Sequence, residues 1–135
     1  FDFGTQKMGM SVGQSLIASA NPLPLFPMKD GTPNWDELLK IVKSHQPNLF
    51  LVGLPLNMDD SESELSTRAR KFARRLRHQT NIETWMVDER LTTREARDEL
   101  DHYQAQGRGK KLSADSIAAA LLIESWYRHP AGITP

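Results

Sequence analysis

Leu49-Phe50-Leu51-Val52-Gly53 runs through the middle of the chain without a polar side chain. An unbroken apolar run of this length predicts a strand covered on both faces, because a half-exposed strand alternates apolar with polar residues. Such a strand needs helices above and below it, and its flanks supply them. Upstream, Asn34 with Glu37 predicts a helix cap, Leu38, Leu39, Ile41 and Val42 form an apolar stripe, and Pro47 stops the helix. Downstream, Ser61 with Glu64 has the pattern of a capping box, and Leu65, Ala69, Phe72, Ala73 and Leu76 share one helical face. Residues 82–87 then predict a second strand, which delivers Asp88 and Glu89 to its carboxyl end.

Further from this centre, residues 8–14 and 16–26 read as two strands parted by a turn at residues 13–15, with an opening strand just before them. Pro22, Pro24 and Pro27 confine the later part of that third strand to an edge or an irregular extension, since proline cannot donate to a ladder. Thr92 with Glu95 predicts a second capping box and a short helix, and residues 107–111 a basic loop. Ser113 caps a final helix running to about Trp126, and residues 117–123 are apolar all round, which predicts burial. The order β-β-β-α-β-α-β-α-α predicts an α/β fold with a mixed sheet covered by helices. In open α/β sheets, ligands gather beyond the carboxyl ends of the strands, where Glu89 falls.

At 135 residues the chain is expected to form one domain, and 39% hydrophobic with 25% charged residues is ordinary for a folded chain. Cysteine is absent, which excludes disulfides, thiolate metal sites and a cysteine nucleophile. No apolar run approaches the roughly 18 residues of a membrane span, and no basic segment leads into a signal-like stretch. A cytoplasmic location is the expectation. The start at Phe1, inside a predicted strand, suggests that a few N-terminal residues of that strand precede it. Formal net charge is zero, so any nucleic-acid contact must come from local clusters. Arg68, Arg70, Lys71, Arg74, Arg75 and Arg77 form one, which reads equally as a solvated helix face; Arg108, Lys110 and Lys111 form another.

Three acidic motifs at element ends carry the chemistry: Phe1-Asp2-Phe3-Gly4-Thr5, Asp88-Glu89-Arg90 and Ala114-Asp115-Ser116. Each alone has an ordinary explanation as turn chemistry, a surface ion pair or a helix-dipole interaction. Together they are what a hard divalent cation needs, because Mg²⁺ takes oxygen ligands and keeps several waters. The glycine and threonine of the first motif would let backbone approach a phosphate. Asn57 and Met58 lie in the loop after a strand's carboxyl end, on a candidate substrate path. Arg90 is placed either to grip a phosphate or to pair with Asp88 or Glu95, and Lys110 and Lys111 to meet backbone phosphates. The four histidines, His45, His78, His102 and His129, follow no metal-ligand spacing, and Trp35, Trp85 and Trp126 are better explained by packing than by base stacking.

These motifs, with Val52-Gly53-Leu54-Pro55-Leu56-Asn57-Met58-Asp59 and Arg68-Ala69-Arg70-Lys71-Phe72-Ala73 between them, resemble the YqgF (RuvX) family over nearly the whole chain. That family is described as Holliday junction resolvases or as nucleases for the small-subunit ribosomal RNA precursor. The resemblance implies an RNase H-like fold, a mixed five-stranded sheet with helices on both faces, and Asp2, Glu89 and Asp115 as the acidic triad. It implies a metal-dependent nuclease in which a pair of Mg²⁺ or Mn²⁺ ions, roughly 3.5–4 Å apart, activates a water and stabilises the leaving oxygen. Its nucleic-acid substrate is expected to be structured RNA in preference to branched DNA, and the chain a monomer or weak dimer. Asp60 stands where the family usually has glycine, which leaves the shape of that loop open. Two rival classes remain at this point. The Asp-Phe-Gly-Thr opening also resembles the phosphate-binding start of sugar kinases and actin, although those close two domains over ATP. A non-catalytic nucleic-acid-binding module is the other rival.

Overall fold

The structure, a computed structural model, describes residues 1–91, residue 98 and residues 113–135. The short helix predicted from Thr92 and Glu95, the loop at 107–111 with Lys110 and Lys111, and His102 lie outside the described residues.

The described chain is a mixed α/β fold. Strand β1 (Lys7–Val12) pairs antiparallel with β2 (Asn21–Lys29), and β2 pairs antiparallel with the short β3 (Thr32–Pro33). Strand β4 (Leu49–Leu54) pairs parallel with β5 (Glu83–Asp88). Helix α1 (Trp35–His45) precedes β4, α2 (Glu64–Thr80) joins β4 to β5 as the crossover a parallel pair requires, and α3 (Ala114–Arg128) follows.

Residues 1–3 lie between these two groups of strands and bond to both. Asp2 and Gly9 exchange backbone hydrogen bonds of 2.9 and 3.0 Å, while the Phe1 nitrogen donates to Leu51 O at 2.7 Å and Gly53 N donates to Phe1 O at 2.9 Å. The predicted opening strand is therefore reduced to one bridge on the β1 side, because Gly4 turns the chain at once. A Cβ on Gly4 would lie 2.1 Å from Lys7 O.

Period-two alternation sorts the side chains into two faces. Phe1 and Phe3 pack on Phe72 of α2, with Phe1 also against Phe50, and Met8, Met10, Phe50, Val52, Leu54 and Met86 join that core. Asp2, Gly9 and Gly53, one residue out of step, belong to the other face, where α3 packs. There α3 buries Ala119, Ala120, Leu121 and Leu122, whereas Ile117, Ala118 and Ile123 of the same apolar stretch stay half-buried.

Several local expectations need correction. The capping box of α2 is Ser63 with Ser66, in which Ser63 N donates to Ser66 Oγ at 3.0 Å, and the helix starts at Glu64. Ser61 instead closes a turn, with its amide donating to Asp59 at 3.0 Å. Leu65 is 38% exposed, and the buried Ser66 takes its place on the inner face by donating to Pro55 O. The β2–β3 hairpin was signalled by Lys29-Asp30-Gly31-Thr32 but not foreseen; Asp30 and Gly31 both take positive φ, 47° and 78°, as a two-residue turn needs. The prolines of β2 keep their predicted edge character, because β3 covers only Met28 and Lys29 beyond Pro27. Asn34 and Ser113 cap α1 and α3 as predicted, accepting from Glu37 N at 3.2 Å and Ser116 N at 3.1 Å.

Candidate active site

Glu89 begins a short 3-10 turn (Glu89–Leu91) directly after β5. It folds back over β4, where there is room only because residue 53 is glycine. A Cβ there would lie 2.4 Å from Glu89 Oε1 and 3.0 Å from its Cγ. In this position the Glu89 carboxyl hydrogen-bonds the Asp2 carboxylate. Asp115 sits in the first turn of α3, and its charge acts on Asp2 from the other side. The close approach of α3 rests on Gly9, whose notional Cβ would lie 2.0 Å from Asp115 O and 2.9 Å from Ser116 N. Asp2, Glu89 and Asp115 thus border one patch, although they are separated by most of the chain.

The electrostatics follow from that crowding. Burial pushes the Glu89 carboxyl up to about 7, and the neighbouring Asp2 charge adds to the effect. Burial also raises Asp2, with the Asp115 charge acting in the same direction. Lys7 meets Asp115 at 3.5 Å and partly neutralises it. Among the described residues, no three acids or histidines converge closely enough to ring a metal ion; the Asp115 carboxylate lies on Lys7. The donor set still suits a hard cation. It offers only carboxylate oxygens, without sulfur or imidazole, and it concentrates negative charge that only a cation or protons would relieve.

This charge state has a measurable consequence. Glu89 binds its proton more tightly folded than unfolded, so between pH 4.5 and about 7 the native state holds the extra proton. Stability without metal is therefore greatest below pH 4.5 for this group and declines as pH rises through about 7. Glu89→Gln should flatten that decline and stabilise the metal-free protein at pH 8 by on the order of 1 kcal/mol, after discounting for solvent screening. Urea denaturation in a chelator across this pH range measures it; an equal slope in both proteins would contradict the carboxyl pairing.

The other candidates have mixed outcomes. Arg90 is held by acids rather than left open: it donates to Asp88 at 2.9 and 3.1 Å, to Asp60 at 2.7 Å and to Asn57 O at 3.0 Å. These bonds keep the Asp88 carboxyl below its usual range. The predicted ion pair of Arg90 with Asp88 is formed. Asp60 was the sequence's departure from glycine. It takes φ of 69°, a conformation glycine favours, and its carboxylate reaches Arg90. Sequence reading missed this Asp60–Arg90 pair because the two lie in different loops.

Asn57 donates to Ser61 Oγ at 2.9 Å and holds its loop together, whereas Met58 is 92% exposed beside it. Gly4 serves the tight turn, and Thr5 O accepts from Gly31 N at 2.8 Å. Among the histidines described, His45, His78 and His129 are exposed, as expected. Trp35 stacks on Phe72 at 5.8 Å.

An α/β protein with paired acids at a strand end and a third on an adjoining helix is the class that fold and site define. The family model described as "RuvX: Holliday junction resolvase" matches residues 1–129, and the chain belongs to that family. A protein of Acinetobacter baylyi is 78% identical over 135 residues, which cover the whole chain and 92% of that protein. One from Histophilus somni is 47% identical, covering 97% of the chain and 93% of its own length. Another, from Haemophilus ducreyi, is 49% identical over 94% of the chain and 92% of its length. All three carry the name "Putative pre-16S rRNA nuclease".

Proposed function

We propose that this chain is a divalent-metal-dependent nuclease that hydrolyses phosphodiester bonds in the precursor of the small-subunit ribosomal RNA. The observation that carries the reading is the hydrogen-bonded Asp2–Glu89 pair, with the Asp115 charge acting on it, in a chain whose relatives bear that nuclease name. Asp2, Glu89 and Asp115 would hold Mg²⁺ or Mn²⁺, which supplies an activated water and neutralises charge at phosphorus. The chain's own residues prepare the site. Lys7 steadies Asp115, Gly9 lets α3 approach, and the Glu89 carboxyl gives up its proton when a cation takes its place.

An RNase H-like core fits the same facts. The order β3-β2-β1, residues 1–3, β4-β5 would make one continuous sheet whose five strands join through residues 1–3, and the backbone bonds of Phe1 and Asp2 support that continuity. Packing of α2 on one side and α3 on the other supports helices on both faces. The site lies within a single domain that works in the cytoplasm as a monomer or weak dimer.

Labelled ribosomal RNA precursor and a four-way DNA junction, each incubated with Mg²⁺, Mn²⁺ or chelator, test the reading. The expected result is RNA cleavage that requires metal. Cutting of the junction alone would move the protein to recombination, and cutting of RNA in chelator would remove the metal.

A further inference from the structure

Helix α2 carries the whole of one basic cluster, and its cations divide into those with an ion pair and those without one among the described residues. Arg70 is bound to Glu62 at 2.7 and 3.0 Å and also donates to Thr134 O at 2.6 Å, while Arg68 pairs with Asp30. Lys71, Arg74 and Arg75 are exposed and form no ion pair among the described residues. With exposed His78 they fall at i, i+3, i+4 and i+7, which places them in one stripe along the helix. The stripe borders a hollow lined by Trp35, Lys71, Arg74, Arg75, His78 and Gln79. An adjoining hollow reaches the β2–β3 turn at Gly31 to Pro33.

A chain with zero net charge that gathers three cations, unpaired among the described residues, beside a half-buried tryptophan offers a surface complementary to a polyanion. We infer that this groove binds the phosphate backbone of an RNA strand at a distance from the carboxylates. The inference rests on the nuclease reading for its choice of occupant. The groove is a separate surface, because α2 covers the face that holds Phe1 and Phe3, opposite to the face of Asp2 and α3. A strand engaged at the carboxylates must cross an edge of the strand layer to reach it. Only a substrate with a long flank meets both surfaces, and the groove acts as an anchor instead of taking part in cleavage. Trp35 lies flat on Phe72, at 17° between ring planes, which fixes one wall of the hollow.

Binding of a fluorescein-labelled single-stranded RNA of about 30 nucleotides, titrated in EDTA at several salt concentrations, tests this without requiring cleavage. The parent is compared with Arg74→Glu/Arg75→Glu, with the milder Arg74→Gln/Arg75→Gln, and with Lys40→Glu/Lys43→Glu on the exposed side of α1. Loss of the two arginines should weaken binding about tenfold or more and reduce the salt slope by about 1.4, about 0.7 for each phosphate contact on a single strand. The glutamine pair should show the same reduction in slope with a smaller loss of affinity, and the α1 control should stay close to the parent. An unchanged slope in both arginine variants would overturn the inference and leave the groove to an acidic protein. An equal loss in the control would also overturn it, by reducing the effect to overall charge. A chain that proved unable to cut RNA would refute the nuclease reading but leave this binding result intact.

Discussion

Asp2→Asn is expected to lower metal-dependent cleavage of ribosomal RNA precursor at least about a hundredfold. Residues that merely orient a metal ligand cost about 10–100-fold when replaced, and Asp2 is the acid that interacts with both of its partners. Asparagine keeps the shape and can still accept a hydrogen bond from Glu89, so the fold should persist. In chelator, the variant should melt no lower than the parent, because the substitution removes a carboxyl whose charged form is disfavoured by burial and by Asp115. Single-turnover cleavage together with thermal unfolding separates the two effects. Full activity in a folded Asp2→Asn protein would contradict the assignment.

Gly9→Ala is expected to have the largest structural effect of any small substitution on this side of the molecule. The added methyl would lie 2.0 Å from Asp115 O and 2.3 Å from Asp115 C, and these backbone atoms cannot move aside as a flexible side chain could. Either β1 or the start of α3 must shift. Overpacking of this kind costs about 1–3 kcal/mol, and the rigid backbone contact points to the upper end of that range. The shift would carry Asp115 away from Asp2 and Glu89. A displacement of about 1 Å can cost about a hundredfold in rate, so cleavage should fall along with stability. Denaturation midpoints and cleavage rates measured on the same preparation check this. A variant with parent-like values in both would show that the spacing between β1 and α3 is not critical.

The elements that were legible are those specified by local pattern. The apolar run at residues 49–53 became β4, the helix caps at Asn34 and Ser113 are formed, and Glu89 follows β5 as the strand boundary implied. Errors arose where two local solutions were available. Ser61 and Ser63 both offer a cap, and what selects Ser63 is the reciprocal bond with Ser66, which also reaches Pro55 O in a different segment. The Asp30-Gly31 turn carries a plain local signal, an Asp-Gly pair with positive φ at both residues.

The three acids were legible as candidates for one crevice, but the contacts that bring them together were not. Pairing of Asp2 with Glu89 depends on the bonds that seat residues 1–3 beside β4, and on Gly53 leaving space for the glutamate. Nothing near Asp2 in sequence announces either one. Gly9 did carry a signal, since a glycine between two methionines within a strand often marks close backbone approach. What approaches it is a helix start more than a hundred residues away, which local pattern does not reveal. Arg90 shows the same limit. Its pairing with Asp88, two residues earlier, was among the sequence readings, but its contact with Asp60 depends on how two loops meet.

Calorimetric titration of Mn²⁺ into the metal-free parent and into Asp115→Asn tests most directly whether the three acids form one cation site. The account predicts saturable binding by the parent and a loss of affinity of about tenfold or more in the variant, because Asp115 leaves Lys7 to join Asp2 and Glu89. Equal affinity in the two proteins would contradict it and would restrict any cation site to Asp2 and Glu89.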